Sequence, residues 1–459
     1  VQSNYNVANQ GANEWGPIQW LVFNTPMHIP LSTYRDYRNN TFAKFDNYFN
    51  EYYPNPYWVI DNYRSMGKTD DVLANTDFSF KINSWLSITH RAALAASFGQ
   101  YKNTNAAQTV TAYTLAHRDN TLYKNRNASV ADGLSRSSRI SSELFLSANK
   151  TFGDFRVSGI LGHNFRQSDA KSVAVSGSNL AVPEIFNVGL RTGEPGASES
   201  NGRTRLTALF GSAVVSYKGW ANIEFTGRND WTSVLAPGNN SYFYPGVSAS
   251  LVLSDAIAPI KNSQVISYLK IRGSYNKSGT VNVGAYQLAS TFSQAAGFPY
   301  GSQAGFTADN SSRNPFLKPE FIKNTEVGAE ISFLKNRINI ETAFYTQSND
   351  DQVIPVQISS ATGYTELYVN AASFKNKGFE VDLKLTPLVK FDKGSIEFRA
   401  NYSYNTSKIT SLYQDLGQLF IGGYTTGSQA GNWAIVGQPA FVFRGLDYVR
   451  DPQGRVIVD

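Results

Sequence analysis

Phe379-Glu-Val-Asp-Leu-Lys-Leu385, followed by Ile396-Glu-Phe-Arg-Ala-Asn-Tyr-Ser-Tyr-Asn405, is the stretch on which the fold turns. Phe379, Val381, Leu383 and Leu385 alternate with Glu380, Asp382 and Lys384. Ile396, Phe398, Ala400, Tyr402 and Tyr404 alternate with Glu397, Arg399, Asn401, Ser403 and Asn405. Side chains on a strand point alternately to its two faces, so each segment has one apolar and one ionic side. A soluble sandwich turns the apolar side into its core. A transmembrane barrel turns it toward lipid and the polar side toward a wet lumen. The connections between strands separate the two readings.

Working outward, similar stripes come in pairs. Val72, Ala74, Thr76, Phe78, Phe80 and Ile82 lead through a turn near Asn83-Ser84 to Leu86, Ile88, Ala92, Leu94, Ala96 and Phe98. Ile140, Leu144, Leu146 and Ala148 turn at Gly153-Asp154 into Phe155, Val157, Leu161 and Phe165. Further turns are expected at Lys218-Gly219, at Lys335-Asn336 and near Asp392-Lys393-Gly394. A longer link around Pro259 joins the Val247–Leu253 stripe to Leu269, Ile271 and Tyr275. This makes roughly twelve strands, most of them long enough for the ~9–11 residues that a tilted bilayer crossing needs.

The connections between pairs are of another size: about 102 to 135, 166 to 202, 278 to 321, 350 to 372, and from 409 onward. Soluble β domains rarely hold several such loops. Short turns at one end and long loops at the other are the habit of outer-membrane barrels, the turns periplasmic and the loops extracellular. The expected fold is therefore all-β, an antiparallel transmembrane β-barrel of roughly twelve strands belonging to a larger barrel. Residues 1–70 are expected to form an aromatic-rich extracellular loop region, 71–408 the strands with their long loops, and 409–459 an extension leading toward further strands. A soluble carbohydrate-binding or hydrolytic β protein is the competing reading.

Composition narrows the function. Charged residues are 17 % and aromatics 14 %, with 26 Tyr and 29 Phe, a balance suited to aromatic girdles at membrane interfaces. The formal charge of +6 is small, and Lys and Arg are scattered, so no nucleic-acid footprint is visible. Cysteine is absent, which excludes thiol chemistry and Cys-based zinc sites. No apolar run reaches the ~18 residues of a transmembrane helix, and Val1-Gln-Ser-Asn-Tyr5 does not open a signal peptide. The chain is expected to be an internal portion of a longer exported polypeptide.

Candidate chemistry is sparse. Glu380 with Asp382, and Glu326 with Glu330, are paired carboxylates of the kind glycoside hydrolysis uses. They lie in ionic stripes near Lys384, Glu397 and Arg399, which favours solvated lumen charge. Glu326, Glu330, Glu341, Glu380, Asp382 and Arg399 are thus expected to face the lumen. Asp70-Asp71 and Asp350-Asp351 are read as strand ends. His28, His90, His117 and His163 lack metal-ligand spacing, and no phosphate-cradling loop or nucleophile elbow occurs. No catalytic residue, metal or cofactor is expected, and the protein is not expected to be an enzyme. The rings carry more signal: Trp15, Trp20, Tyr34, Tyr37, Tyr48, Tyr52, Tyr53 and Trp58, with Tyr300 and Tyr364 in later loops, are candidates for substrate or partner binding. The plain alternative is that they pack the loops' own small cores.

One ordered set of motifs remains. Asn55-Pro-Tyr-Trp58, Trp85-Leu-Ser-Ile88, Tyr217-Lys-Gly-Trp220, Phe243-Tyr-Pro-Gly-Val247, Tyr268-Leu-Lys-Ile-Arg-Gly-Ser-Tyr275 and Asn314-Pro-Phe-Leu-Lys-Pro-Glu-Phe321 follow one another. Asn324-Thr-Glu-Val-Gly328, Asn376-Lys-Gly-Phe-Glu380 and Val436-Gly-Gln-Pro439 complete it. Their order and spacing resemble the SusC/RagA-type TonB-dependent transporters of the Bacteroidetes outer membrane. The resemblance implies TonB-dependent import of a nutrient, an oligosaccharide or a peptide, together with a SusD-type surface lipoprotein. It implies contact with outer-membrane lipid and with TonB, through a plug region not present in this chain. A dimer of such pairs is an arrangement the resemblance allows. A SusC-like barrel kept as a structural member of an envelope assembly is the alternative.

Overall fold

The computed structural model describes residues 2–8, 18–23, 25–49, 54–117, 124–295, 297–423 and 430–457. The strands are β1 (Gln2–Ala8), β2 (Tyr63–Lys81), β3 (Leu86–Asn105), β4 (Ser129–Phe152), β5 (Phe155–Gly177), β6 (Gly196–Tyr217) and β7 (Ala221–Thr232). They continue with β8 (Ser241–Val252), β9 (Ile266–Thr280), β10 (Phe292–Gln294), β11 (Phe306–Ala308), β12 (Ser311–Ser312) and β13 (Glu320–Phe333). The last are β14 (Ile338–Gln357), β15 (Glu366–Phe391), β16 (Gly394–Leu412), β17 (Gln418–Gly423), β18 (Gly431–Ile435) and β19 (Val442–Arg444). The helices are short: α1 (Ile18–Phe23), α2 (Pro56–Asn62), α3 (Ala112–His117), α4 (Leu253–Ala256) and α5 (Ala258–Lys261).

One sheet of 14 strands runs β1 to β9 in chain order, then β13, β14 and β15, with β12 and β16 both pairing β15. Setting aside the 7-residue β1 and the 2-residue β12 leaves twelve long strands, from the 12 residues of β7 to the 26 of β15. Hairpin neighbours in sequence are neighbours in space, as an antiparallel meander requires. The chain divides into two compact units, residues 1–76, 92–141 and 167–203, and residues 77–91, 142–166 and 204–459.

In the second unit the register aligns one apolar face across eight strands. Val215 pairs Ile223, Ile223 pairs Ala249 and Leu251 pairs Ile271. Ile271 pairs Ala329, Val327 pairs Phe344, Ile340 pairs Leu383, and Phe379 pairs Tyr404. Because side chains alternate with period two, this register puts every charged partner on the other face. The apolar face is bare: Phe225 and Phe344 are each 52 % exposed and Tyr402 57 %. Among the described residues, none of the four buried apolar clusters contains a mid-strand residue of it. One packs Leu21, Phe45, Val59, Tyr63 and Val110, and another Ala128, Val130 and Leu180. The others gather loop-side residues such as Leu317 with Val353, and Ile409 with Leu412 and Leu419. A contiguous apolar face that large needs an apolar medium, and a sandwich core would have covered it.

The tight turns lie where the sequence placed them, and their backbone explains why. Lys218 (φ 49°) and Gly219 (φ 77°) both occupy the left-handed region, which matches the twist of the flanking strands. Leu334, Lys335 and Asn336 do the same between β13 and β14.

Elsewhere the strands outrun the expectation. β3 runs to Asn105 and β4 starts at Ser129, β5 runs to Gly177, and β14 and β15 leave only 358–365 between them. Much of what reads as loop is ladder. Beyond the bilayer both faces of a strand meet water, so the alternation fades while backbone pairing continues. The first seventy residues likewise hold β1 and the start of β2 at Tyr63, and Leu253 opens α4 rather than ending β8. Asp70 and Asp71 sit inside β2, paired with β1. Asp350 and Asp351 sit inside β14 at a bulge, Asp351 at φ 61°.

The two faces make opposite demands. Leu383→Arg, in the apolar stripe, should destabilise the full-length protein in vesicles by about 2–4 kcal/mol. Asp382→Asn, one residue away, should change it by less than about 0.5 kcal/mol. Urea unfolding reads both, and equal losses would mean that the faces are exchanged.

Candidate functional site

The ionic face of β9, β13 and β14 converges on one guanidinium. Arg272 Nη1 lies 2.8 Å from Glu341 Oε1 and 3.2 Å from Glu330 Oε1, and its Nη2 lies 3.4 Å from Glu326 Oε1. Lys270 Nζ donates to the same Glu330 oxygen at 2.8 Å. Register builds the cluster: Glu330 sits opposite Lys270 on one side and Glu341 on the other, and Gly328 sits opposite Arg272. A Cβ at 328 would meet Thr342 O at 2.8 Å and Arg272 Cζ at 3.1 Å, so only glycine lets the guanidinium lie across the strand. A groove of about 400 Å³ adjoins the cluster, lined by Asn222, Glu224, Ser248, Ser250 and Ser274 besides Arg272.

Glu326, Glu330 and Glu341 are therefore brought together, and each is held by a cation. Such carboxylates are poor general acids or bases. Asp382 stands opposite Glu341, and Glu380 opposite Ala343, on the same face. Both are exposed and have no ion-pair partner among the described residues. Arg399 pairs with Glu397 on its own strand at 3.2 Å, not with the acids of β15. Among the described residues no group of three or more His, Cys, Asp or Glu has metal-binding geometry.

The aromatic candidates separate. Trp15, Tyr52 and Tyr53 lie outside the described residues, and Trp20 falls in α1 without a described side chain. Tyr48 is 1 % exposed, donating or accepting at 2.5 Å with Thr25 Oγ1 and packed edge-on against Tyr34 at 4.8 Å. Burial pushes its phenol above the ordinary value. Tyr48 is thus a core residue and presents no ring to a ligand. Trp58 packs on Phe45 at 4.4 Å and on Tyr63 at 5.4 Å. Tyr37 donates to Asp61 at 2.8 Å beneath Arg38, and partial burial with that bond raises its pKa. Tyr364 is half-buried, while Tyr300 is 76 % exposed on the loop that carries β10 and β11.

Two positioning residues escaped the sequence reading. Asn55 is fully buried: it caps α2 by accepting from Tyr57 N at 3.0 Å and donates to the carbonyls of Tyr34 and Ala43 at 2.7 and 2.6 Å. Asn370 clamps the end of the long loop, accepting from Lys318 N at 3.1 Å and donating to Lys318 O at 2.9 Å and Asp351 O at 2.8 Å. The same loop is tied down by Arg313, which pairs with Asp309 at 2.7 Å and lies over the Tyr368 ring at 4.7 Å. That bond holds the Asp309 carboxyl below its usual range. The signal for both asparagines was their setting within or opposite a motif, Asn55-Pro56 and Asn314–Phe321.

Residues 15–456 match the family described as TonB dependent receptor-like, beta-barrel. The chain belongs to this TonB-dependent receptor family. Barrels of the family are outer-membrane proteins of Gram-negative bacteria, and the SusC/RagA-type resemblance of the motifs agrees with it. TonB-dependent receptor P26 of Formosa agariphila is 29 % identical over 209 residues, covering 45 % of this chain and 21 % of that one. TonB-dependent receptor P3 of the same organism is 24 % identical over 283 residues, 61 % of this chain and 28 % of that one. In fold, the chain is similar to the RagAB peptide transporter, with a TM-score of 0.72 at 17 % identity, over 85 % of this chain and 41 % of that one. The chain spans about a quarter of the length of these curated relatives.

Arg272→Met removes the shared cation and leaves three carboxylates facing each other. With the cluster half open to water, a loss of about 1–3 kcal/mol is expected. Adding Glu330→Gln should recover part of it. Urea unfolding of the single and double variants measures this, and strict additivity would mean that the groups do not interact. Asn55→Ala should cost about 2–4 kcal/mol, from the lost cap and two orphaned carbonyls, read by proteolysis of the N-terminal segment.

Proposed function

We propose that this chain forms part of the barrel wall of an outer-membrane, TonB-dependent nutrient importer of the SusC/RagA type, working with a SusD-type lipoprotein. The observation that carries the proposal is the division of the faces. A bare apolar face runs in register across eight strands, and the opposite face carries the Arg272 network beside a polar groove. That division suits a wall with lipid outside and a hydrated path inside. The family membership and the fold shared with the RagAB peptide transporter support the same reading.

In this reading the protein moves its substrate: Glu326, Glu330 and Glu341 are each committed to a cation, which suits them poorly to acid–base chemistry. The substrate is an oligosaccharide or a peptide. Exposed rings such as Tyr300, together with the half-buried Tyr37 and Tyr364, supply stacking surface for either. Glu326, Glu330, Glu341, Glu380, Asp382 and Arg399 line the lumen in this reading, and the organism is Bacteroidetes-like. TonB supplies the energy, and two importer–lipoprotein pairs can associate as a dimer.

Deleting the gene, or uncoupling TonB, should abolish uptake of a labelled oligosaccharide or peptide by whole cells. A tag on the full-length protein should recover a surface lipoprotein in near-equal amount from mild detergent. Undiminished uptake after both treatments would end the importer reading. Recovery of the barrel alone would end the partner claim.

A further inference from the structure

The charge of this protein is not spread evenly along its strands. The tight-turn ends of the sheet comprise the turns themselves, the α4–α5 link and the last three residues of each flanking strand. They carry Lys81, Lys150, Arg156, Lys218, Lys261, Lys335, Arg337, Lys390 and Lys393 against Asp154, Asp255 and Asp392. Nine cations against three acids is an excess of six. The whole chain has 41 basic and 35 acidic residues, a formal charge of +6. The rest of the molecule is therefore balanced, and the net charge sits at the turn end.

These cations are exposed. Among the described residues only Lys218 has a carboxylate within ion-pair distance, Asp154 at 3.3 Å. They are interleaved with rings that end the apolar face. Lys150 Nζ lies 5.4 Å from the Trp85 ring and 5.3 Å from that of Phe152, and Lys218 lies 5.4 Å from Tyr217. Phe155, Tyr217 and Trp220 continue the aromatic row, with centroids 4.9 and 5.6 Å apart. Aromatic rings settle at the boundary between hydrocarbon and headgroups, and lysine stems extend along them to place their charge among the headgroups. Cations without a carboxylate partner at that depth meet phosphate.

We propose that the turn end is a docking collar for anionic glycerophospholipid, with headgroup phosphates held by the lysines and acyl chains laid on the apolar face. The inference rests on the membrane reading above. Charge complementarity, and continuity with the apolar face, select the occupant. A zwitterionic headgroup carries its own cation beside the phosphate and gains less from six excess positive charges, whereas each basic group near an anionic surface contributes a several-fold preference.

The test uses the full-length protein, inserted into vesicles and then extracted in mild detergent. Retained lipid is counted by native mass spectrometry after exposure to equal phosphatidylglycerol and phosphatidylcholine of the same acyl chains. The protein should retain phosphatidylglycerol about tenfold in preference, falling with salt. The K81Q/K150Q/K335Q variant, which breaks no ion pair, should fall to within about twofold of parity. The K44Q/K124Q/K408Q variant, neutralised away from the turns, should keep the preference. Parity in the unmodified protein, or an equal loss in both variants, would overturn the collar. Failure to enter vesicles at all would overturn the membrane reading instead.

Discussion

Every backbone N–H and C=O placed in hydrocarbon must find a partner within the protein, because no water is there to replace it. The long ladders of this chain answer that constraint, and the rest of the structure follows from them. Once β13 is locked between β9 and β14 over its whole length, the two-residue period leaves no freedom over which side chains share a face. Val327, Ala329 and Ile331 must stand together, and Glu326, Gly328 and Glu330 must stand together behind them.

The ionic network is a product of the same ladder. Arg272 reaches three carboxylates on two neighbouring strands because register brings them alongside and Gly328 leaves room between. A one-residue slip would put the guanidinium on the apolar face and the glutamates in lipid, at a cost of several kcal/mol. The network therefore opposes slippage more than it adds stability, since half-open ion pairs contribute little on their own.

Where the strands leave the apolar zone, side-chain packing takes over. The small cores around Val59, Val130, Leu317 and Ile409 are all loop-side, and buried amides at Asn55 and Asn370 fasten irregular backbone that has no ladder of its own. Aromatic residues serve both settings. Tyr48 and Trp58 are spent on internal packing, while Tyr300 stays outside. Their flanking residues look alike in sequence, so the sequence offered no way to divide them.

What the sequence by itself determined is whatever depends on spacing along one strand. The alternation from Phe379 to Leu385, the turns at Lys218-Gly219 and Lys335-Asn336, and the count of long strands were all legible because strand period and turn chemistry are local. Only the tertiary structure decided matters that depend on which residues meet from distant parts of the chain. It showed that strands continue as far as Asn105 and Gly177 although the alternation stops earlier, since pairing needs a neighbour and not an amphipathic pattern. It brought Glu326, Glu330 and Glu341 to one guanidinium and sent Arg399 to Glu397. It buried Tyr48, because burial is a property of what packs against a ring and not of the ring.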